Sequence, residues 1–122
     1  MGKVTPIDEE FVFEEGFAIS QSDAEGIITY INSKFCEISG YTKEELIGSK
    51  HNIIKHQDTQ KSLFERMNST IHSGQTFNSN IKNLRKDGKY YQVKLEILPL
   101  LSSDGEVEGF ISLSRPIDRK SI

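Results

Sequence analysis

Apolar and polar positions along the chain follow two periods, one of two residues and one near four, and their order predicts the elements. Ala18-Ile19-Ser20-Gln21-Ser22-Asp23 leads into an Ala24-Glu25-Gly26 turn, and residues 27–31 are β-branched and aromatic, so the two segments read as a strand hairpin. Asn32-Ser33 is an N-cap pair ahead of a short helix over 34–39, with Gly40 as its stop. Thr42-Lys43-Glu44-Glu45 has the Thr-x-x-Glu spacing of a capping box and opens a second short helix that ends at Gly48. An irregular stretch covers 49–57. Asp58 is then placed to cap one long helix over 59–73, in which Leu63, Met67 and Ile71 recur every four residues beside Phe64. Beyond Gly74 the period is two. Phe77, Ser79, Ile81 and Asn83 share one strand face, and Lys86-Asp87-Gly88-Lys89 supplies an Asp-Gly turn. Tyr91, Val93, Leu95 and Ile97 share the next face, against Gln92, Lys94 and Glu96 on the other side. Pro99 and a Ser102-Ser103-Asp104-Gly105 turn lead to a last strand over 107–115.

Five antiparallel strands, with all helices inserted between the second and third, make an α+β domain whose helices pack on one face of the sheet. That insertion predicts a cavity between the helical layer and the sheet. The acidic and aromatic residues 1–17 form an N-terminal cap or linker.

Composition narrows the function. A chain of 122 residues has room for one domain, and a net charge of −3 with both signs dispersed leaves no basic block to track phosphates, so nucleic acid is not an expected partner. No apolar run approaches a membrane span and the first residues lack a signal-peptide core, so a soluble, cytoplasmic domain is expected. The single cysteine, Cys36, excludes an intramolecular disulfide. Catalytic signatures are missing as well. There is no nucleophile turn, no Gly-rich phosphate loop and no metal-ligand spacing among His51, His56 and His72, so an enzyme is not expected.

The motifs in this order resemble the PAS domain family, and within it the FAD-binding PAS domains of bacterial aerotaxis receptors. The residues that carry the resemblance are Gly26-Ile27-Ile28-Thr29-Tyr30-Ile31-Asn32, Phe35-Cys36-Glu37-Ile38-Ser39-Gly40-Tyr41 and Glu44-Glu45-Leu46-Ile47-Gly48. They continue with His51-Asn52-Ile53-Ile54-Lys55-His56-Gln57-Asp58, Lys82-Asn83-Leu84-Arg85-Lys86-Asp87-Gly88 with Tyr90-Tyr91, and Gly109-Phe110-Ile111-Ser112-Leu113. The resemblance implies a PAS sensor over 18–117, with 118–122 beginning a linker to an output module. It also implies noncovalent FAD read for its redox state, with Asn32, Lys55, His56, Asp58, Phe77 and Asn83 as the cofactor-binding positions. Lys55 stands where the subgroup has arginine, Gln57 where it has proline, and Phe77 and Gln92 where it has tryptophan. Lysine keeps the charge but lacks the planar fork that grips a phosphate. The implied partners are a second copy of the chain, met through the PAS domain and the N-terminal segment, and a chemoreceptor, histidine kinase or other output domain.

Taken on their own, these residues leave alternatives open. Asn83 alternates with Phe77 and Ile81 towards the interior, where its carboxamide suits the edge of a heteroaromatic ring or the backbone near the Asp87-Gly88 turn. Asn32 is a helix cap before it is a ligand. Lys55 and His56 can hold an anion with Asp58 orienting the imidazole, or Asp58 caps the long helix and the other two are solvated. Phe77, Tyr91, Leu95 and Phe110 line the cavity or fill the core, and Ser112 and Ser114 face either side. Haem is the alternative cofactor, with His51, His56 or His72 as axial ligand; His72 falls on the polar side of its helix. A small metabolite, or a cofactor-free domain used for dimerisation with its cavity filled by Phe77, Met67 and Tyr91, completes the alternatives. The segment 51–58 contains no cysteine, so the flavin–cysteine adduct of blue-light relatives is not expected.

Overall fold

The computed structural model describes residues 3–119. Five strands, β1 (Ala18–Asp23), β2 (Ile28–Ile31), β3 (Phe77–Leu84), β4 (Tyr90–Leu101) and β5 (Val107–Arg115), form one sheet in the order β2-β1-β5-β4-β3. Every neighbouring pair is antiparallel. Between β2 and β3 run α1 (Ser33–Ser39), α2 (Lys43–Leu46), a 3-10 turn (His51–Ile54) and α3 (Lys61–His72). The predicted α+β architecture is the observed one.

The short helices start and stop where their caps dictate. Asn32 Oδ1 accepts the Phe35 N–H at 3.1 Å, and Gly40 closes α1 at φ 78°. Thr42 and Glu45 complete the capping box of α2 reciprocally, at 3.2 Å and 3.0 Å. The long helix departs from expectation. It begins at Lys61 after Gln60, whose side chain makes no capping bond, and Asp58 does not cap it. The cause is local. The Asp58 carboxylate lies 3.2 Å from Lys82 Nζ and the Thr59 hydroxyl donates to the Lys82 carbonyl at 3.1 Å, so 58–59 are tied to β3 before the chain turns helical. A second departure is β4, which runs through Pro99 to Leu101. Pairing with β3 ends at Ile97, so β4 has an edge there and tolerates a residue without an N–H.

Alternation on the strands sets the core. Tyr91, Val93, Leu95 and Ile97 are all buried, together with Ile28 and Ile31 of β2, Phe35 and Ile38 of α1 and Leu46 of α2. Registers carry one row across the whole sheet: Ile31, Ser20, Ser112, Ile97 and Phe77. A parallel row runs Ala18, Ser114, Leu95 and Ser79. The middle of the inner face is therefore serine, flanked in the first row by Ile31 on one side and by Ile97 and Phe77 on the other. Ser20, Ser22, Ser112 and Ser114 are all buried. Opposite these small side chains α3 does not close on the sheet: Leu63, Phe64 and Met67 stay half-buried and Ile71 alone of the helix is buried. Small residues on one wall and an incompletely buried apolar stripe on the other leave a gap.

The N-terminal segment lies along the start of β4. Ile7 N–H donates to the Gly88 carbonyl at 2.9 Å, Phe11 N–H to Tyr90 O at 2.8 Å, and Tyr90 N–H to Glu9 O at 3.0 Å. Phe13 is buried, and the Arg85 guanidinium stacks 3.9 Å from the Phe11 ring centroid. At the other end, 120–122 of the expected linker lie outside the described residues.

Candidate functional site

The gap between sheet and α3 is a cavity of about 340 Å³. Its floor is the inner face of β3–β5 (Ile81, Asn83, Leu95, Ile97, Phe110, Ser112, Ser114), and its wall is Phe64, Met67, Ile71 and His72 of α3. The 3-10 turn forms the third side with His51, Ile54 and Lys55. Backbone bridges pin this turn at both ends, Lys50 to Ile27 beside β2 and Lys55 to Asn83 on β3, so it crosses the sheet as a strap. His51 N–H donates to Gly26 O at 2.9 Å, and His51 Nε2 lies 2.8 Å from Ser20 Oγ. Phe35 packs against the imidazole edge-on, with ring centroids 5.7 Å apart.

Two of the six implied positions line this cavity. Asn83 is 6 % exposed and presents its carboxamide from β3. Lys55 is exposed at the mouth, its ammonium 4.5 Å from the Phe64 centroid, and Lys50 is a second cation there. The other four sit elsewhere in this structure. The Asn32 amide binds backbone throughout: Oδ1 accepts from Ile19 and Phe35, and Nδ2 donates to Phe17 O at 2.9 Å. Phe77 is buried at the start of β3 under the Arg66 guanidinium. His56 is buried away from the cavity and its Nδ1 accepts the Asp58 N–H at 3.0 Å. That bond, not the Asp58 carboxylate, orients the ring: the carboxylate is 3.9 Å away and turns to Lys82.

Burial lowers the pKa of both His51 and His56 below the ordinary histidine value, with Lys82 adding to the effect at His56 and Asp58 opposing it. A neutral His56 adds no positive charge at the mouth. For each imidazole the unfolded chain binds the proton more readily, so the stability these groups contribute is full above about pH 6.5 and is lost as pH falls below it. Urea midpoints are expected to drop between pH 7.5 and pH 5.5, and to drop less in His56→Gln. Equal drops in the two proteins would show that His56 titrates as it does in the unfolded chain.

Several lining residues fell outside the sequence reading. His72 is exposed, as expected, and the face of its ring that packs edge-on against Phe110 at a centroid distance of 5.2 Å also borders the cavity. Its Nδ1 lies 2.8 Å from the Asn68 carbonyl. The buried Ser22 of β1 lines the floor, and its even spacing from Ser20 was the available signal. Tyr91 does not line the cavity; it is 1 % exposed beside Asn83, its register partner. Its hydroxyl is buried without a hydrogen bond of ordinary geometry, although the Asn83 side chain is near enough to offset slightly the rise in pKa that burial causes. Cys36 is half-buried against the core and does not border the cavity, and burial raises its thiol pKa. Among the described residues no cluster of His, Cys, Asp and Glu is suited to hold a metal ion, and no helix is long and apolar enough to cross a membrane.

A sequence model of the PAS domain matches residues 14–117, nearly the whole of this architecture. The chain belongs to the PAS domain family. It is 35% identical over 95 residues to the aerotaxis receptor of Escherichia coli (strain K12), covering 78% of this chain and 19% of the receptor. It is 30% identical over 106 residues to the nitrogen fixation regulatory protein of Klebsiella pneumoniae, covering 87% and 21%. With the blue-light photoreceptor of Listeria innocua it shares 32% over 90 residues, covering 74% and 35%. The PAS chain thus spans between about a fifth and a third of these curated relatives' length. The dark structure of the blue-light photoreceptor Aureochrome1 LOV superposes with a TM-score of 0.78 at 17% identity, covering 85% of this chain and 78% of that one, which shows the shared fold. The chain is thus a PAS domain whose fold is shared with the LOV structures.

Proposed function

We propose that this PAS domain holds FAD noncovalently and reads its redox state on behalf of an output module, as a cytoplasmic sensor in chemotaxis or two-component signalling. The observation that carries the reading is Asn83. The residue is buried near the end of β3 and borders the cavity, so it can present its carboxamide to an occupant. A carboxamide offers one acceptor and two donors, so a ligand edge bearing donors and acceptors is its natural complement. The cavity volume lies at the low end for ligand pockets, which suits one planar ring between the serine floor and the α3 wall. The charged arm of a dinucleotide then leaves by the mouth, where Lys50 and Lys55 favour anions.

Bound flavin supplies a ring whose charge and hydrogen-bonding edge change on reduction. The protein's part is to exclude water with Leu95, Ile97, Phe110 and Ile71, to orient the ring through Asn83, and to pass a shift of β3 and β4 to their neighbours. The N-terminal segment is laid on the start of β4, which places it to carry that shift to a second copy or to an adjoining receptor or kinase domain. The aerotaxis receptor and blue-light photoreceptor relatives support a flavin in this role.

The test is the absorption spectrum of freshly purified protein, followed by titration with FAD, FMN and riboflavin. Flavin absorption, with FAD tighter than riboflavin, is the expected result; colourless protein that takes up none of the three would sink the proposal. Asn83→Ala is expected to weaken flavin by about 1–3 kcal/mol, whereas Asn80→Ala, exposed on the same strand, leaves it unchanged. Equal losses would place the ring away from β3. Haem is a second reading with one observation behind it. His72 borders the cavity with Nδ1 against a backbone carbonyl, the arrangement that frees Nε2 for a metal. The same spectrum, after haem addition, separates the two.

A further inference from the structure

The hydroxyl of Tyr91 is the orphan of this core. Among the described residues it is the one fully buried side-chain polar atom without a partner. Native structures rarely leave such a group unpaired without a reason. Its surroundings narrow the reason to one contact. Tyr91 and Asn83 are directly opposed across β3 and β4, both side chains point to the inner face, and both residues are buried. Asn83 borders the cavity and Tyr91 does not, so of the opposed pair only Asn83 meets an occupant.

The chemistry of the pair is asymmetric. A carboxamide has an accepting end and a donating end, and turning it over exchanges them. A partner that only donates, or only accepts, would lock one orientation. A phenol does both: it donates to the amide oxygen in one orientation and accepts from the amide nitrogen in the other. We propose that Tyr91 is a positioning residue, the protein-side partner that lets Asn83 turn either its carbonyl or its NH₂ towards a ligand. The amide then matches an accepting or a donating ring edge. A ligand that exchanges one for the other reverses the amide and changes the load on a hydroxyl fixed to β4. The ligand side of this inference rests on the cavity being a flavin site; the Asn83–Tyr91 contact does not.

The experiment uses Tyr91→Phe, which removes one oxygen and keeps the ring. Side-chain amide resonances of Asn83 are recorded by NMR without ligand, with those of Asn80 as reference. Tyr91→Phe is expected to shift the Asn83 pair and leave Asn80 in place; an unmoved Asn83 pair overturns the proposal whether or not flavin binds. Melting temperature is expected to stay near the wild-type value, because removing the buried hydroxyl offsets the loss of its one contact to Asn83. FAD affinity is expected to fall by roughly three- to tenfold, the loss of one supporting hydrogen bond. In an Asn83→Ala background the same change is expected to cost nothing further. An equal loss in both backgrounds shows that the hydroxyl acts without the amide and overturns the proposal. Failure of FAD to bind the wild-type chain sinks the flavin reading and leaves the resonance shift to decide this one.

Discussion

Replacing Ser112 with leucine is expected to abolish flavin uptake while leaving the fold more stable. Ser112 sits on β5 at the middle of the inner face, between Ser20 of β1 and Ile97 of β4, and borders the cavity. An isobutyl group there points into the space that separates the sheet from the half-buried Phe64 and Met67 of α3. Burying it contributes about 1.5–3 kcal/mol, part of which is offset by crowding against its neighbours. A net gain near 1 kcal/mol raises the melting temperature by roughly 4 °C. A ring that needs the same space meets overlap worth about 3 kcal/mol, or roughly a hundredfold in affinity. Thermal denaturation and flavin titration on the same sample read both effects. A variant that binds flavin as the wild type does would show that no ring lies over the centre of the sheet. A variant that melts earlier would show that the serines are required by the fold itself.

This opposed pair of effects follows from a feature only half legible in the sequence. The alternation of Tyr91, Val93, Leu95 and Ile97 declared the buried face of β4, and the placement of the helices between β2 and β3 implied a space beneath them. Ser112 and Ser114 gave no such sign. A serine is compatible with either face, and its side was settled by pairing with Ala18 and Ser20 on one flank and Leu95 and Ile97 on the other. Long-range register decides such positions, and local pattern does not carry it.

The charged positions were harder still. Asp58-Thr59 before an apolar stripe has the look of a helix start, yet β3 claims both side chains, through the Lys82 ammonium and the Lys82 carbonyl. A tertiary contact outcompeted the local cap. Asn32 shows the reverse: its cap was legible, and the same amide also holds Ile19 and Phe17, which commits its oxygen and one N–H to backbone. His51 had its place in the motif, and the general suitability of any histidine as a haem ligand, to recommend it. Its role in closing the cavity depends on Ser20, thirty-one positions away in the chain. What the family resemblance transferred well was order and fold; what it could not transfer was which members of a charged cluster face the space they surround.

Gly109→Ala is expected to be the most destabilising small substitution in the domain, and it tests whether the floor of the cavity is as rigid as the proposed signalling requires. Gly109 opposes Asp23 where β1 and β5 pair at the centre of the sheet. A β-carbon there would stand 2.3 Å from the Ser22 carbonyl oxygen and 3.4 Å from its carbon, both backbone atoms that cannot rotate aside. The strands must separate, and with them Ser22 and Phe110, which border the cavity. The expected loss is about 3 kcal/mol, at the upper end for overpacking because it breaks ladder bonds as well as packing. Gly105→Ala is the control. Its φ of +82° makes alanine strained, but nothing lies within 4 Å of the added carbon, so about 1 kcal/mol is expected. Urea denaturation at neutral pH measures the difference. If Gly109→Ala loses no more than Gly105→Ala, then β1 and β5 part readily beside the cavity. The sheet would then absorb a change at Asn83 locally, and the route to the output would have to run through the helices instead.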